Sequence, residues 1–445
     1  MKTSIYLILN VVLMLCSMTS LVAQSTTSEP LSLNQAINRA LQSNFGIRTS
    51  YLIKEASAIS NSWGAVGALP QLSTSVSGVS SISDQTENPT SFIQERIETD
   101  GLTSGLNVNW TLFDGMGMFV SKSRLNLLEL QSEGQSSLVI EQTVEAVDRA
   151  YHNILLQAEL LSVLAESMSL SRQRLIEIKH SESYGTAGTF DRLQFENAIL
   201  ADSTSWLQQG VAVKFSIRNL NLLMGDPEDS VWTLTDELLP PPELPSVSDV
   251  RIAVMVDNTS LNNAILSESI AHNGVKLAQS FLYPVLGLNA SFSNATSNFA
   301  VGDLEGAGRS VNTSALLTLN FNLFNGGATR RSISLAKIQA DIAAVNLEDN
   351  RAQASSIVSN AYESYTLGAS VYDLCVQASR NASILLDIAE TSYRKGIINA
   401  LDYRTLEVSL QRARVNQLSA LLVWRGSYVE IQRLVGALRA PLMMN

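Results

Sequence analysis

The chain has 445 residues, of which 16% are charged, and a formal net charge of -11 at pH 7. An acidic balance with no basic cluster excludes nucleic acid as a partner. The remainder is rich in Ser, Asn, Gln and Ala, a mixture that suits surfaces facing water, lipid and neighbouring subunits more than those of a soluble globule.

Residues 1–23 read as a cleaved export signal, with Lys2, an apolar run over 5–15 and a small-polar stretch leading to Ala23-Gln24. Cys16 follows Leu15, where a lipid-modification site needs a small residue, so cleavage after Ala23 is expected in spite of the bulky Leu21. Cleavage leaves Cys375 alone, so no disulfide braces the mature chain and the fold must rest on packing. The apolar run is too short for a helical membrane span, and no later segment offers the ~18 uninterrupted apolar residues of one.

The rest of the chain is written twice. Leu112-Phe113-Asp114-Gly115 recurs as Leu323-Phe324-Asn325-Gly326, Gly185 and Asp191 recur as Gly396 and Asp402, and Leu223-Met224-Gly225 recurs as Leu434-Val435-Gly436. These pairs lie 211 positions apart (323 less 112). Asn44 with Asn258, and Leu69-Pro70-Gln71-Leu72 with Tyr283-Pro284-Val285-Leu286, lie 214 apart (284 less 70), so the difference falls in the loop between the strands. The expected organisation is a first repeat over 24–225, a connector over 226–249, a second repeat over 250–436 and a short tail over 437–445. Pro240, Pro241, Pro242 and Pro245 make the connector stiff and extended.

Each repeat is expected to run helix, two strands, then two long helices. Pro70 and Pro284 lead into the strand pairs, and Gly115 and Gly326 lead out of them. Strands are expected over 72–79 and 286–292 and through two stricter alternations. Leu106, Val108, Trp110 and Leu112 interleave with Asn107, Asn109 and Thr111, and Leu317, Leu319, Phe321 and Leu323 interleave with Thr318, Asn320 and Asn322. Segments of ~9–11 residues with one oily and one wet face suit tilted transmembrane strands between lipid and a water-filled lumen; a soluble sandwich edge is the alternative. Four such strands cannot close alone, and barrels forbid open edges in lipid, so closure calls for other copies. The polar stretches 81–101 and 294–310 are expected as external loops.

The long helices are expected over 116–183 and 327–394, each roughly 100 Å at 1.5 Å per residue. One seam runs through Ile140, Val144, Val147, Tyr151, Ile154, Ala158, Leu161, Ala165 and Met168, and a second through Leu156, Leu160, Val163 and Leu170. The matching helix has one seam from Ala336 through Ala340, Ala343, Leu347, Ala354 and Ile357 to Ala361, and another through Val358, Tyr362, Tyr365, Ala369 and Tyr372. Two seams separated by polar faces imply a neighbour on each side, as in a wall of helices closing into a tube; a four-helix bundle is the alternative. Cys375 falls on a seam and reads as a small core residue.

The export signal, the duplicated order of elements, the proline-led strands ending in L-F-[DN]-G and the G-x5-D near each hairpin tip together resemble the TolC family of outer-membrane efflux and secretion channels over about residues 30–436. That resemblance implies an α+β membrane protein, a homotrimer with a twelve-stranded β-barrel, four strands per chain, and a long α-helical coiled-coil barrel. The periplasmic end of the tunnel would meet an adaptor protein and an inner-membrane pump. Near the tip of the second repeat's hairpin, Tyr393 matches the family's gating tyrosine, Asp402 matches an acidic residue lining the constriction, and Asp191 lies where the family supplies a partner for the tyrosine. Ile398 stands in place of a linking arginine and Thr405 in place of a second acid, which implies a weaker latch and a single carboxylate ring. The plainer readings are seam packing for Tyr393 and a helix cap for Asp402.

No catalytic motif stands out, and His152, His180 and His272 lack metal-ligand spacing, so no cofactor or metal is assigned. A periplasmic adaptor or coiled-coil scaffold is the rival reading, and a secreted hydrolase on a repeat scaffold a second; the first would carry one hairpin where this chain carries two.

Overall fold

The computed structural model describes residues 29–185 and 188–442. The export-signal reading, Cys16 included, and residues 443–445 lie outside them. The first repeat comprises β1 (Glu29–Leu31), α1 (Leu33–Ser43), α2 (Phe45–Ser60), β2 (Gln71–Asp84), β3 (Arg96–Asp114), α3 (Gly117–Ser183) and α4 (Thr189–Met224). After β4 (Trp232–Leu234) come α5 (Val247–Asp257), α6 (Thr259–Ser280), β5 (Val285–Val301), β6 (Leu304–Asn320), α7 (Ala328–Arg394), α8 (Ala400–Leu434) and a 3-10 turn over Ala437–Leu442.

Four expectations are corrected. The leading helix of each repeat is two helices, broken at Asn44 and Asn258. The stretches 81–101 and 294–310 are largely strand, because backbone pairing continues where the side chains turn polar on both faces; the connections shrink to 85–95 and 302–303. Phe321 and Leu323 lie past the end of β6, which stops at Asn320. One helix among the described residues, α3, contains an 18-residue stretch with the composition of a membrane span. At 67 residues it far outruns such a span, and it buries Ile140, Val144, Val147, Tyr151 and Ile154 in protein.

The chain forms two compact units, each drawing on both repeats. One takes the chain up to Asn44, Ala146–Pro241 and Gly368–Gly426; the other takes Phe45–Glu145, Pro242–Leu367 and the chain from Ser427. In the first, β1 pairs in parallel with β4, and Leu31, Ala36, Ala40, Val147, Tyr151 and Leu220 pack as a core. The Tyr151 hydroxyl sits 2.8 Å from both the Leu31 carbonyl and an Asp236 carboxylate oxygen. Burial first, and then the Asp236 bond, push its pKa up to about 12.

The repeated Asn and Gly prove to be parts of one joint. Asn44 caps the end of α1 and donates its side-chain amide to the Leu223 carbonyl at 2.8 Å; Asn258 donates likewise to Leu434 at 3.0 Å while its Oδ1 caps the start of α6. Each thus satisfies an orphan carbonyl at the end of its own repeat's last helix. That helix stops at a glycine of positive φ, 75° at Gly225 and 71° at Gly436. A Cβ on Gly225 would lie 2.5 Å from the Ser43 carbonyl oxygen, whereas one on Gly185 (φ 71°) would meet nothing within 4 Å. Gly225→Ala should therefore destabilise by about 2–5 kcal/mol, left-handed strain plus overpacking, against about 1 kcal/mol for Gly185→Ala, strain alone. Thermal unfolding of the two variants in detergent checks this, and equal melting temperatures would refute the joint.

In the second unit the sheet runs β2-β3-β5-β6, antiparallel throughout. Its register sets Leu72 beside Val108 and Ala290, and Trp110 beside Leu288 and Leu317. The opposite face sets Ser73 beside Asn107 and Ser291, then Ser314. β2 and β6 each have one unpaired edge. The two turns leaving the strands differ in the same sense. A Cβ on Gly115 would fall 2.3 Å from the Ser280 carbonyl oxygen, but one on its repeat equivalent Gly326 would meet nothing within 4 Å. Beside Gly326, Leu323 and Phe324 are each 86% exposed.

Apolar stripes are also left bare. Most positions of the expected seams of α7 turn inward, with Ala340, Leu347, Val358, Ala361 and Tyr365 buried, but Ile357 is exposed. The stripe that faces out is another one, Leu335, Ile338, Ile342 and Val345, and α4 exposes Leu193, Leu200, Leu207, Val211, Phe215 and Leu222. Their three- and four-residue or sevenfold spacings are those of coiled-coil seams awaiting a partner.

Candidate functional site

The candidate site lies where the α3–α4 and α7–α8 hairpins turn. Gly396 ends α7 as a left-handed residue, its N–H bonded to the Tyr393 carbonyl and that of Ile397 to the Ser392 carbonyl, both at 2.9 Å. This double bond satisfies two terminal carbonyls and reverses the chain. Asn399 restarts it, accepting the Asp402 N–H on its side chain at 2.8 Å. Gly185 takes the same left-handed conformation after α3. Asp191 caps α4 by accepting the Gly188 N–H at 3.3 Å.

Two arginines tie the hairpins together, Arg174 buried and Arg404 half-buried. Arg404 on α8 reaches Asp202 on α4 at 2.6 Å, Ser171 on α3 at 3.0 Å and Glu407 on its own helix at 3.3 Å. Ser171 in turn donates to the other Asp202 oxygen at 2.7 Å. Arg174 on α3 bonds Glu177 at 2.7 Å, the Tyr403 hydroxyl at 3.0 Å and Glu390 on α7 at 3.2 Å. Its guanidinium lies over the Tyr403 ring, which stacks on Tyr393 at 5.4 Å. Burial works against the Arg174 charge, but its bonds to Tyr403 and Glu177 outweigh this and raise its pKa. Burial also raises the pKa values of Tyr393 and Tyr403 against the pull of Arg174, so both phenols stay neutral at physiological pH.

Of the residues singled out in the sequence, the structure brings Tyr393 into this cluster, packed with Ile178, Phe195 and Ala400. Asp191 acts on the Tyr393 hydroxyl only through space, by its charge. Asp402 and Thr405 are exposed on the first turns of α8, with the Thr405 hydroxyl bonded to the Leu401 carbonyl at 2.9 Å, and Ile398 is half-buried in the turn. Pro70 and Pro284 stand immediately before β2 and β5, in the other unit. The sequence reading missed Arg174, Asp202, Arg404 and Glu407. A signal existed for two of them: Arg174 continues the Leu156, Leu160, Val163, Leu170 seam, and Asp202 lies seven residues after the buried Phe195, and a charge on a seam calls for a buried partner.

Residues 254–437 match the family model described as outer membrane efflux protein. The match covers most of the second repeat. The whole repeat pair shares its fold with solved channels. The CmeC outer membrane channel of Campylobacter jejuni is 15% identical over 91% of this chain and 85% of that one, with a TM-score of 0.76. The MtrE outer membrane channel of Neisseria gonorrhoeae, solved in its open state, is 19% identical over 91% and 88%, with a TM-score of 0.74. CusC is 17% identical over 91% of each chain, with a TM-score of 0.75. Among curated proteins, none matches in sequence. The matched residues include α7, the turn at Gly396 and α8, and so half of the arginine-tied cluster.

Proposed function

We propose that the chain is one subunit of a homotrimeric outer-membrane efflux channel, a passive conduit whose helices extend into the periplasm to meet an adaptor and an inner-membrane pump. The sheet carries this reading. Four strands place apolar residues on one face and polar residues on the other, yet end in two free edges that lipid does not tolerate. The bare turn at Gly326 and the exposed stripes of α4 and α7 call for the same remedy, sister copies on both sides. A periplasmic adaptor would have no use for such a sheet. The detergent-extracted protein should appear as a trimer in native mass spectrometry and give discrete conductance steps in planar bilayers; a stable monomer without a pore would sink the proposal.

The hairpin turns then form the periplasmic entrance. Asp402, exposed near a helix start, supplies one carboxylate per copy, a ring of three in the trimer. Tyr393 and Asp191 hold the turn beside it, and Thr405 and Ile398 add no charge. Asp402→Ala should weaken block by multivalent cations and widen selectivity in conductance recordings, and block equal to that of the parent protein would remove the ring from the scheme.

A further inference from the structure

Between α3, α7 and α8, next to the arginine-tied cluster, lies a cavity of about 210 Å³. Its wall carries four carboxylates, Glu166, Asp387, Glu390 and Glu407, and one guanidinium, that of Arg414. Two of the acids are already neutralised, Glu166 by Arg414 at 2.5 Å and Glu390 by Arg174 and Arg394 at 3.2 and 2.7 Å. Asp387 has no ion pair among the described residues. The Glu407 side chain is 4% exposed, and Arg404 holds only its Oε2. Its Oε1 is buried with no hydrogen-bond partner. A buried carboxylate oxygen left without a donor is costly, and a donor supplied to it is rewarded more strongly than one in water. The rest of the wall sets Val163, Leu170, Leu386, Leu410 and the Tyr403 ring beside the neutral polar side chains of Ser167, Ser383 and Gln411.

We propose that this cavity binds a small organic cation with a primary ammonium head, which donates to Glu407 Oε1 and sets its apolar body against the leucines. A metal ion fits less well, since no group of three or more His, Cys, Asp or Glu among the described residues is placed to hold one. An ammonium meets the shortfall directly: it supplies one donor for the orphan oxygen and one positive charge for the unpaired acid. The site depends on side chains of a single unit of one chain, so it stands whether or not the assembled protein conducts.

Charge sets the pH response. Glu407 is faced by Glu166 and Arg174 on α3, Asp202 on α4, Asp387 and Glu390 on α7, and Arg404 and Arg414 on α8. Burial raises the pKa of Glu407 against the pull of Arg404 and Arg174. As pH falls the carboxylate takes up a proton before an exposed glutamate would, while an alkylammonium stays charged, so binding weakens in mild acid.

The probe is hexylammonium chloride, titrated calorimetrically into the full-length protein in detergent, with hexyltrimethylammonium and hexanol as controls of equal chain length. Saturable binding of one hexylammonium per chain is expected, stronger at pH 8 than at pH 5 and about tenfold weaker in Glu407→Gln. Hexyltrimethylammonium, which has the charge but no N–H, should bind more weakly, and hexanol most weakly of all. Ser167→Leu, which fills the cavity and leaves the carboxylate in place, should abolish binding and so separates loss of the site from loss of the fold. Equal affinity for hexanol, retention of binding in both variants, or no saturable heat from the parent protein would overturn the proposal.

Discussion

Replacing Arg404 by alanine is expected to loosen the entrance and lower stability together. The Arg404–Asp202 pair joins α8 to α4 at 2.6 Å with side chains only 15% and 9% exposed, and Ser171 locks the same carboxylate from α3. Removing the arginine strands Asp202 in a dry site, at a cost of about 3–5 kcal/mol. The same change frees the α7–α8 hairpin from the α3–α4 hairpin, so on the proposed function single-channel conductance should rise several-fold. Arg404→Met with Asp202→Leu should recover most of the stability, since a well-packed apolar pair replaces a buried ion pair without stranding a charge. Arg218→Ala is the control, because its partner Glu228 is 74% exposed and surface pairs contribute about 0–1 kcal/mol. Unchanged conductance and melting in Arg404→Ala would show that the pair holds nothing shut.

The second large effect concerns how copies meet. Within the chain β3 pairs with β5, and Val108 stands opposite Ala290. Carrying β3 onto β6 and β5 onto β2 by the two repeat displacements sets Leu319 of one copy opposite Val76 of the next. Both side chains are exposed and both lie on the apolar face, so this register keeps the faces in line, whereas a slip by one residue would turn every leucine into the lumen. Opposed residues in antiparallel strands have Cα atoms about 4.5–5.5 Å apart, within reach of a disulfide. With Cys375 changed to serine, Leu319→Cys plus Val76→Cys should give a covalent trimer on oxidation, visible in non-reducing gels. Leu319→Cys plus Leu72→Cys, four residues out of register, should give monomers. Cross-linking of both pairs alike would exclude this register.

The long helices were legible almost to the residue, from 116 against Gly117 to 394 against Arg394, because the repeated glycines punctuate them. The strands were legible only where one face is oily: over 296–301 and 304–310 only Phe299, Val301 and Leu304 stand among small and polar residues, so no sustained period marks these stretches as strand. At the hairpins, Tyr393 and Asp402 could be located from spacing relative to Gly396, but the ties around them could not. Arg404 and Glu407 sit on a helix with many charged neighbours, and only the approach of Asp202 and Ser171, some two hundred residues away, makes them interior. The bare stripe from Leu335 to Val345 was passed over for the opposite reason, since a solitary chain gives no hint of which of three apolar rows will face its own partners.

The joint at Asn44 and its twin at Asn258 make each half of the polypeptide self-finishing: the last helix of a half docks on the first of that same half. A half-length ancestor with this joint would already have been a complete building block, and six of them in a ring would have presented six equivalent seams. Fusing them in pairs through the proline connector converts three of those seams from encounters between molecules into encounters along one chain, at the millimolar effective concentration that a short tether provides. The fusion also lets the two halves diverge, so that one half carries Arg404 where the other carries Leu193 at the matching position.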